Sequence, residues 1–303
     1  MHRSGLRPYG QATSEPNDAD GNWRRRYGEA RHRQVTTNWG FVMTMSAIEA
    51  LKSEQSRAVE LLTSLTPDEL SAQSGCTGWR VQDVFCHMAS VFHSITEPDS
   101  IEGGAGVDVE QDAEVPVQAR KSWTRDQVLA EYLEWSDKGI AALAFMNTPE
   151  MADTVIPLSN LGAHPMHLLA NAIVFDHYCH LRHDVGFAVP RAAALQRDAA
   201  ALGATVEWML AGIPQMCRPA LATAPRQALN LVLEGAGGGS WVVAPGGELW
   251  TVTPGREADA PTAISTAHDF VSWGTKRSPW QKSTVLQNGN ADAETVLNAL
   301  NVI

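Results

Sequence analysis

The segment Asp176-His177-Tyr178-Cys179-His180-Leu181-Arg182-His183-Asp184 carries three histidines and two aspartates within nine residues. It lies in an apolar stretch with helical spacing. Burying such groups unpartnered is costly, so the cluster implies a bound partner. Neutral imidazole and carboxylate are good ligands for zinc and neighbouring divalent metals, which makes a metal site the leading expectation. Successive residues of an α-helix turn by about 100°. With Asp176 at zero, His180 falls near about +40° and His183 near about -20°, and Leu169, Ala172 and Ile173 lie within about 60° of the same line. His177, at about +100°, sits at the margin. An i,i+4 pair of ligating side chains on one helical face is a recurring metal-binding arrangement. A core histidine bonded to a neighbouring aspartate is the competing explanation, and it suits one histidine better than three.

Two residues on one helix leave a tripod incomplete, so a third ligand must come from elsewhere. An earlier helix offers His87 and His93. His87 lies at the edge of an apolar face formed by Val84, Val91 and Ile95, where it can point into a bundle. His93 lies about 120° away from His87 and reads as a solvated surface residue. Asp184, and Asp83 one turn before His87, are candidates to orient ligand imidazoles; a solvated or capping role is equally open for both. Cys179 points off the ligand face and reads as a buried structural thiol. Trp79 is a candidate pocket wall, although packing is the commoner role for tryptophan.

The elements that must position these side chains follow from periodicity and punctuation. Helices are expected over Ser46 to Leu65, Val81 to Ile95, from near Thr124 onward, over Met166 to Asp184, and over Arg191 to Ala211. The last ends at Gly212-Ile213-Pro214. Glu97 to Glu114 reads as a long acidic loop. After about Pro219 the texture changes to short β-like runs at Leu229 to Leu233, Ser240 to Ala244 and Glu248 to Thr253. A helix over Thr262 to Trp273, a strand around Ser283 to Gln287 and a closing helix over Ala291 to Leu300 complete the chain. The expected fold class is α+β, with a helical bundle over residues 43–217 and a small α+β domain over residues 218–303. The run from Gly235 to Ser240 lacks the Gly-Lys-Ser/Thr ending of a phosphate loop and reads as a hairpin turn.

Composition sets the outer bounds. The chain has 303 residues, 44% of them hydrophobic, and a formal charge of -11. That charge argues against non-specific nucleic-acid binding. No run of about 18 apolar residues is present, so no membrane span is expected. The four cysteines, Cys76, Cys86, Cys179 and Cys217, form no CxxC pair. They read as reduced thiols, and a cytoplasmic location is expected. Residues 1–42 include Arg24-Arg25-Arg26, show no sustained apolar periodicity and carry no secretory signal pattern; they read as a disordered extension.

The motif Thr77-Gly78-Trp79-Arg80-Val81-Gln82-Asp83-Val84-Phe85-Cys86-His87-Met88 resembles the helix-two signature of the DinB-like, mycothiol-dependent maleylpyruvate isomerase family. Asp176 and His180 are similar to its second motif, where glutamate is usual in place of aspartate. Gly237-Gly238-Gly239, Gly246-Gly247, the Ala267 to Phe270 helix and Asn288-Gly289-Asn290 resemble the family's sterol-carrier-like domain. The resemblance implies an N-terminal DinB-like four-helix bundle in which His87, Asp176 and His180 hold a divalent metal, usually zinc. It also implies mycothiol as thiol cosubstrate. The shorter aspartate must reach the metal through a small helix shift, or His177 or His183 takes its place. For the family's C-terminal arginine that aids the substrate, Arg277 is one candidate and Arg256 another.

A metal with three protein ligands keeps an open position, the mark of a catalytic site. A thiol bound there is deprotonated near neutral pH and becomes a strong nucleophile. The expectation is a zinc-dependent, mycothiol-using transferase or isomerase acting on a small electrophile. The alternatives are a non-catalytic protein that binds metal and an apolar ligand, and a metal-dependent hydrolase.

Overall fold

The computed structural model describes residues 44–103 and 106–303. The extension read over residues 1–42 lies outside them. Helix α1 (Thr44–Ser64) buries Leu51, Ala58 and Leu62 on one face. Thr66 then caps the short α2 (Pro67–Ser71): its hydroxyl accepts from the Glu69 N–H while the Glu69 carboxylate accepts from the Thr66 N–H. This reciprocal arrangement closes two otherwise unpaired donors and fixes the turn.

A left-handed turn at Gly78 (φ 81°) leads into α3 (Val81–Thr96), where the Asp83 carboxylate accepts the Arg80 backbone N–H. The acidic stretch expected to be loop to Glu114 instead contains the start of α4 (Val109–Ala119). Asp108 caps it by accepting from the N–H groups of Glu110 and Gln111. Helix α5 (Arg125–Met146) starts at the expected place, with Thr124 and Gln127 forming a second reciprocal cap. A small hairpin, β1 (Val155–Pro157) with β2 (Ala163–Pro165), precedes α6 (Leu168–Cys179).

Helix α6 does not end at Cys179 but widens into a π-helical turn over His180–Val185. The expected helix from Arg191 divides: a short turn covers Pro190–Ala193, and α7 (Ala199–Met216) begins after Asp198, whose carboxylate accepts from the Ala201 N–H. Pro214 does not stop α7, which runs on to Met216 with one hydrogen bond of the ladder missing. Helices α1, α3, α5 and α6 form the bundle, with α7 packed against α1 and α6.

Beyond the bundle, β3 (Leu229–Glu234), β4 (Gly239–Ala244), β5 (Thr251–Pro254), β6 (Thr262–Thr266) and β7 (Val285–Gln287) make one sheet in the order β5-β4-β3-β6-β7. Only the central β3–β6 pair of this sheet is parallel. The helix expected over Thr262 to Trp273 is therefore a strand followed by α8 (Ala267–Gly274). Thr262, Ile264 and Thr266 are β-branched and pair along β3, and Thr266 caps α8 through the Asp269 N–H. Helix α9 (Ala291–Ala299) closes the chain. The chain is thus an N-terminal helical part and a C-terminal sheet part, and α7 contacts α8 and β5 across the join. Among the described residues no helix is long and apolar enough to cross a membrane.

One buried ion pair ties α1 to the π turn. Arg182 donates to both carboxylate oxygens of Glu54 at 2.8 and 2.9 Å, and neither side chain reaches solvent.

Candidate metal centre

His87 stands on α3 with its Nε2 2.9 Å from Asp176 Oδ1, on α6. His180, one turn beyond Asp176, brings its own Nε2 to 3.4 Å from the same oxygen. One ligating atom from each of the three residues lies within 4.8 Å of the others. Their side chains are only 11 to 16% exposed. The His87 Nδ1 is buried and has no hydrogen-bond partner, and the buried Asp176 Oδ2 has His177 Nδ1 3.4 Å away. Bonds of about 2.0–2.1 Å to one tetrahedral ion would set donor atoms roughly 3.4 Å apart, so this spacing suits a divalent metal. The aspartate is long enough: it reaches both imidazoles.

The electrostatics are those of a cation site. Burial raises the Asp176 pKa, but the charges of His180 and His87 outweigh it and hold the carboxyl well below its usual range. For His180, burial opposes the charge and Asp176 overcomes it, so the imidazole is held well above its ordinary value. A buried carboxylate between two imidazoles therefore presents negative charge at neutral pH.

Around this cluster, Trp79 forms a wall. Its ring centroid is 5.3 Å from that of His87 and 6.5 Å from that of His180, and its indole N–H donates to Glu114 on α4. Asp184 accepts the His180 Nδ1–H at 2.8 Å, as expected for an orienting carboxylate. Arg277, beyond α8, donates to both oxygens of Asp184 at 2.8 and 2.7 Å. Burial raises the Asp184 pKa, but the bonds from His180 and Arg277 drive it far below the ordinary value.

Several expectations need correction. His183 lies about two turns along the helix from Asp176, within the π turn, and its ring stacks on His268 instead. His177 is a core residue: its Nε2 meets the Tyr132 hydroxyl at 2.9 Å, and its Nδ1 meets the Ile173 carbonyl at 3.0 Å and Asp176 Oδ2 at 3.4 Å. Neither histidine takes the place of Asp176 in the cluster. Asp83 pairs with Arg80 and Lys121 rather than with His87. His93 is not solvated. It stacks on Trp135 with centroids 4.0 Å apart and meets Glu131 and Ser100 at its two ring nitrogens. Arg256, two residues beyond the edge strand β5, donates to the Ser240 hydroxyl on β4. Cys179 is buried, and that burial pushes its thiol up to about 12.

One neighbour was not foreseen. The half-buried Cys76 brings its sulfur to 3.9 Å from His180 Nδ1, and with His180 and Asp184 it forms a second, overlapping set of donors within 4.8 Å. No spacing pattern marks it in the sequence. Its only signal is its place in the Gly75 to Trp79 turn that leads to His87.

Similarity to known proteins agrees with the fold. Residues 51–154 match the family model for the mycothiol maleylpyruvate isomerase N-terminal domain. That match bears out the resemblance carried by the Trp79 to His87 motif, and it ends before Asp176. Among solved structures, the chain is similar to the crystal structure of the mycothiol-dependent maleylpyruvate isomerase, at 11% identity and a TM-score of 0.50. The alignment covers 82% of this chain and 94% of that one, so the likeness of fold extends beyond the bundle into the sheet part. A mutant of the mycothiol-dependent maleylpyruvate isomerase aligns over the same shares at 12% identity, with a TM-score of 0.48. No curated protein matches the chain.

Proposed function

We propose that this protein is a divalent-metal-dependent enzyme, with zinc the expected ion, that uses mycothiol to attack a small electrophile, as an isomerase or S-transferase. The observation that carries this reading is the convergence of the His87 and His180 Nε2 atoms on one oxygen of Asp176. The family of the N-terminal domain supports mycothiol as the thiol. His87, Asp176 and His180 would hold the ion.

A metal in this position supplies Lewis acidity and keeps a bound thiol in its nucleophilic, deprotonated form. The protein's own groups do the rest. Asp176 provides the negative charge that draws a cation between the imidazoles. Asp184 holds the proton on His180 Nδ1, so Nε2 is the nitrogen that would give up its proton and face the ion. Trp79 covers the imidazoles on one side and limits access of water.

The test is elemental analysis of the purified protein, followed by thiol conjugation with and without mycothiol, before and after chelation. The expected result is about one divalent ion per chain and turnover that needs both ion and thiol. Full turnover in the chelated protein sinks the metal reading. Turnover of an ester or amide without thiol makes it a hydrolase.

A further inference from the structure

We propose that Arg277 is a positioning residue for the metal, acting from the C-terminal part of the chain through Asp184 on His180. This rests on the metal reading above. The Asp184 side chain is 1% exposed and receives hydrogen bonds from two directions: the His180 Nδ1–H at 2.8 Å, and Arg277 Nε and Nη2 at 2.8 and 2.7 Å. A bidentate guanidinium fixes both the place and the plane of a carboxylate. With its plane fixed, Asp184 offers Oδ2 to one nitrogen of His180, and the ring must then present the other to His87 and Asp176.

The backbone around Asp184 is equally constrained. The Gly75 N–H donates to the Asp184 carbonyl at 2.9 Å, and a Cβ at position 75 would stand 2.7 Å from Asp184 Oδ1 and 3.0 Å from its Cα. The glycine is what lets the turn before α3, the helix that carries His87, lie directly against Asp184. Three separate parts of the chain therefore meet at this aspartate: the turn before α3, the π turn of α6, and the loop after α8. Without Arg277 the carboxylate loses the bonds that set its plane and is free to rotate, and His180 loses its fixed acceptor. Outer partners of ligand histidines are worth roughly 10–100-fold in metal affinity.

The experiment measures zinc affinity of the full chain by competition with a chromophoric chelator, for wild type, Arg277→Met, Arg277→Lys, Asp184→Asn and the Arg277→Met/Asp184→Asn double variant. Nitrogen NMR shifts of the His180 ring report its tautomer, and circular dichroism reports folding. The expected result is affinity about 10–100-fold weaker in Arg277→Met at unchanged stoichiometry. A smaller loss is expected in Arg277→Lys, which keeps the charge, with a double variant no weaker than Asp184→Asn alone. The His180 signals of the folded Arg277→Met protein should report a mixture of tautomers. Wild-type affinity in Arg277→Met, with only the KM for the electrophile raised, overturns the proposal and makes Arg277 a substrate contact. Losses that multiply in the double variant also overturn it. If Arg277→Met does not fold, Arg277→Lys decides: wild-type affinity and a single His180 tautomer there overturn the proposal. A wild-type protein that binds no zinc overturns the metal reading itself, and this proposal with it.

Discussion

The ring of His183 stacks on that of His268, with centroids 4.7 Å apart and planes inclined by 25°, where the π turn of α6 meets the first turn of α8. Tyr178 meets the far nitrogen of the pair, its hydroxyl 2.9 Å from His268 Nδ1. Burial lowers both pKa values, helped by nearby positive charge: His183 falls to about 3 and His268 to about 4. Both rings are neutral in the folded protein above those values, while unfolded histidines take up protons near about 6.5. The stability from this contact is complete above about pH 6.5 and is lost as pH falls toward 4, because there the unfolded chain binds more protons. The midpoint of urea unfolding should drop between pH 6 and 4.5. Replacing both histidines by glutamine should flatten that slope; an unchanged slope would show that the pair is not the cause.

The tripod predicts a common phenotype for three substitutions. His87→Ala, His180→Ala and Asp176→Asn should each lose more zinc affinity than the roughly 10–100-fold typical of outer partners, while keeping the helical content of wild type. Mycothiol-dependent turnover should vanish with the metal. Atomic absorption after gel filtration checks stoichiometry, and any of the three retaining a full equivalent of tightly held zinc would remove that residue from the ligand set.

Gly75→Ala should weaken zinc binding by about tenfold or more, since the new methyl must displace Asp184 or the turn that precedes α3. Chelator competition measures it. Wild-type affinity in this variant would mean that the turn moves aside without disturbing Asp184.

Glu54 and Arg182 give a prediction independent of the metal. Removing one partner of a fully buried pair costs about 3–5 kcal/mol, because the other charge stays buried. Glu54→Ala leaves Arg182 in that state, with its guanidinium 3.9 Å over the Tyr178 ring. Denaturant unfolding should show the loss, and a change below about 1 kcal/mol would indicate that water, with the Gln196 carbonyl that Arg182 already bonds, compensates its charge.

Much of this arrangement is legible in the sequence because it is written in short-range terms. Thr66 with Glu69 and Thr124 with Gln127 announce two helix starts, and the Asp176/His180 spacing needs only the helical turn to place both on one face. His87 follows from its position at the edge of an apolar stripe. What escapes the sequence is set by contacts between distant segments. Thr262–Thr266 is a strand because β3 lies alongside it, and nothing within those five residues excludes the start of a helix. Asp108 caps α4 inside a stretch whose acidity reads as loop. His93 looks solvated on a helical wheel and is covered by Trp135 from another helix. Cys76 and the bidentate contact of Arg277 belong to the same class: tertiary folding brings them to His180 and Asp184, and no local spacing records it.

The widened turn at His180–Val185 gives the chain a single-residue vernier. Deleting one residue there would return the coil to its ordinary pitch and swing every later side chain by about 100°. Asp176 and His87 would stay where they are, but the anchor at Asp184, the ion pair at Arg182 and the stacked ring at His183 would slip out of register together. One missing codon would thus uncouple the two halves of the molecule.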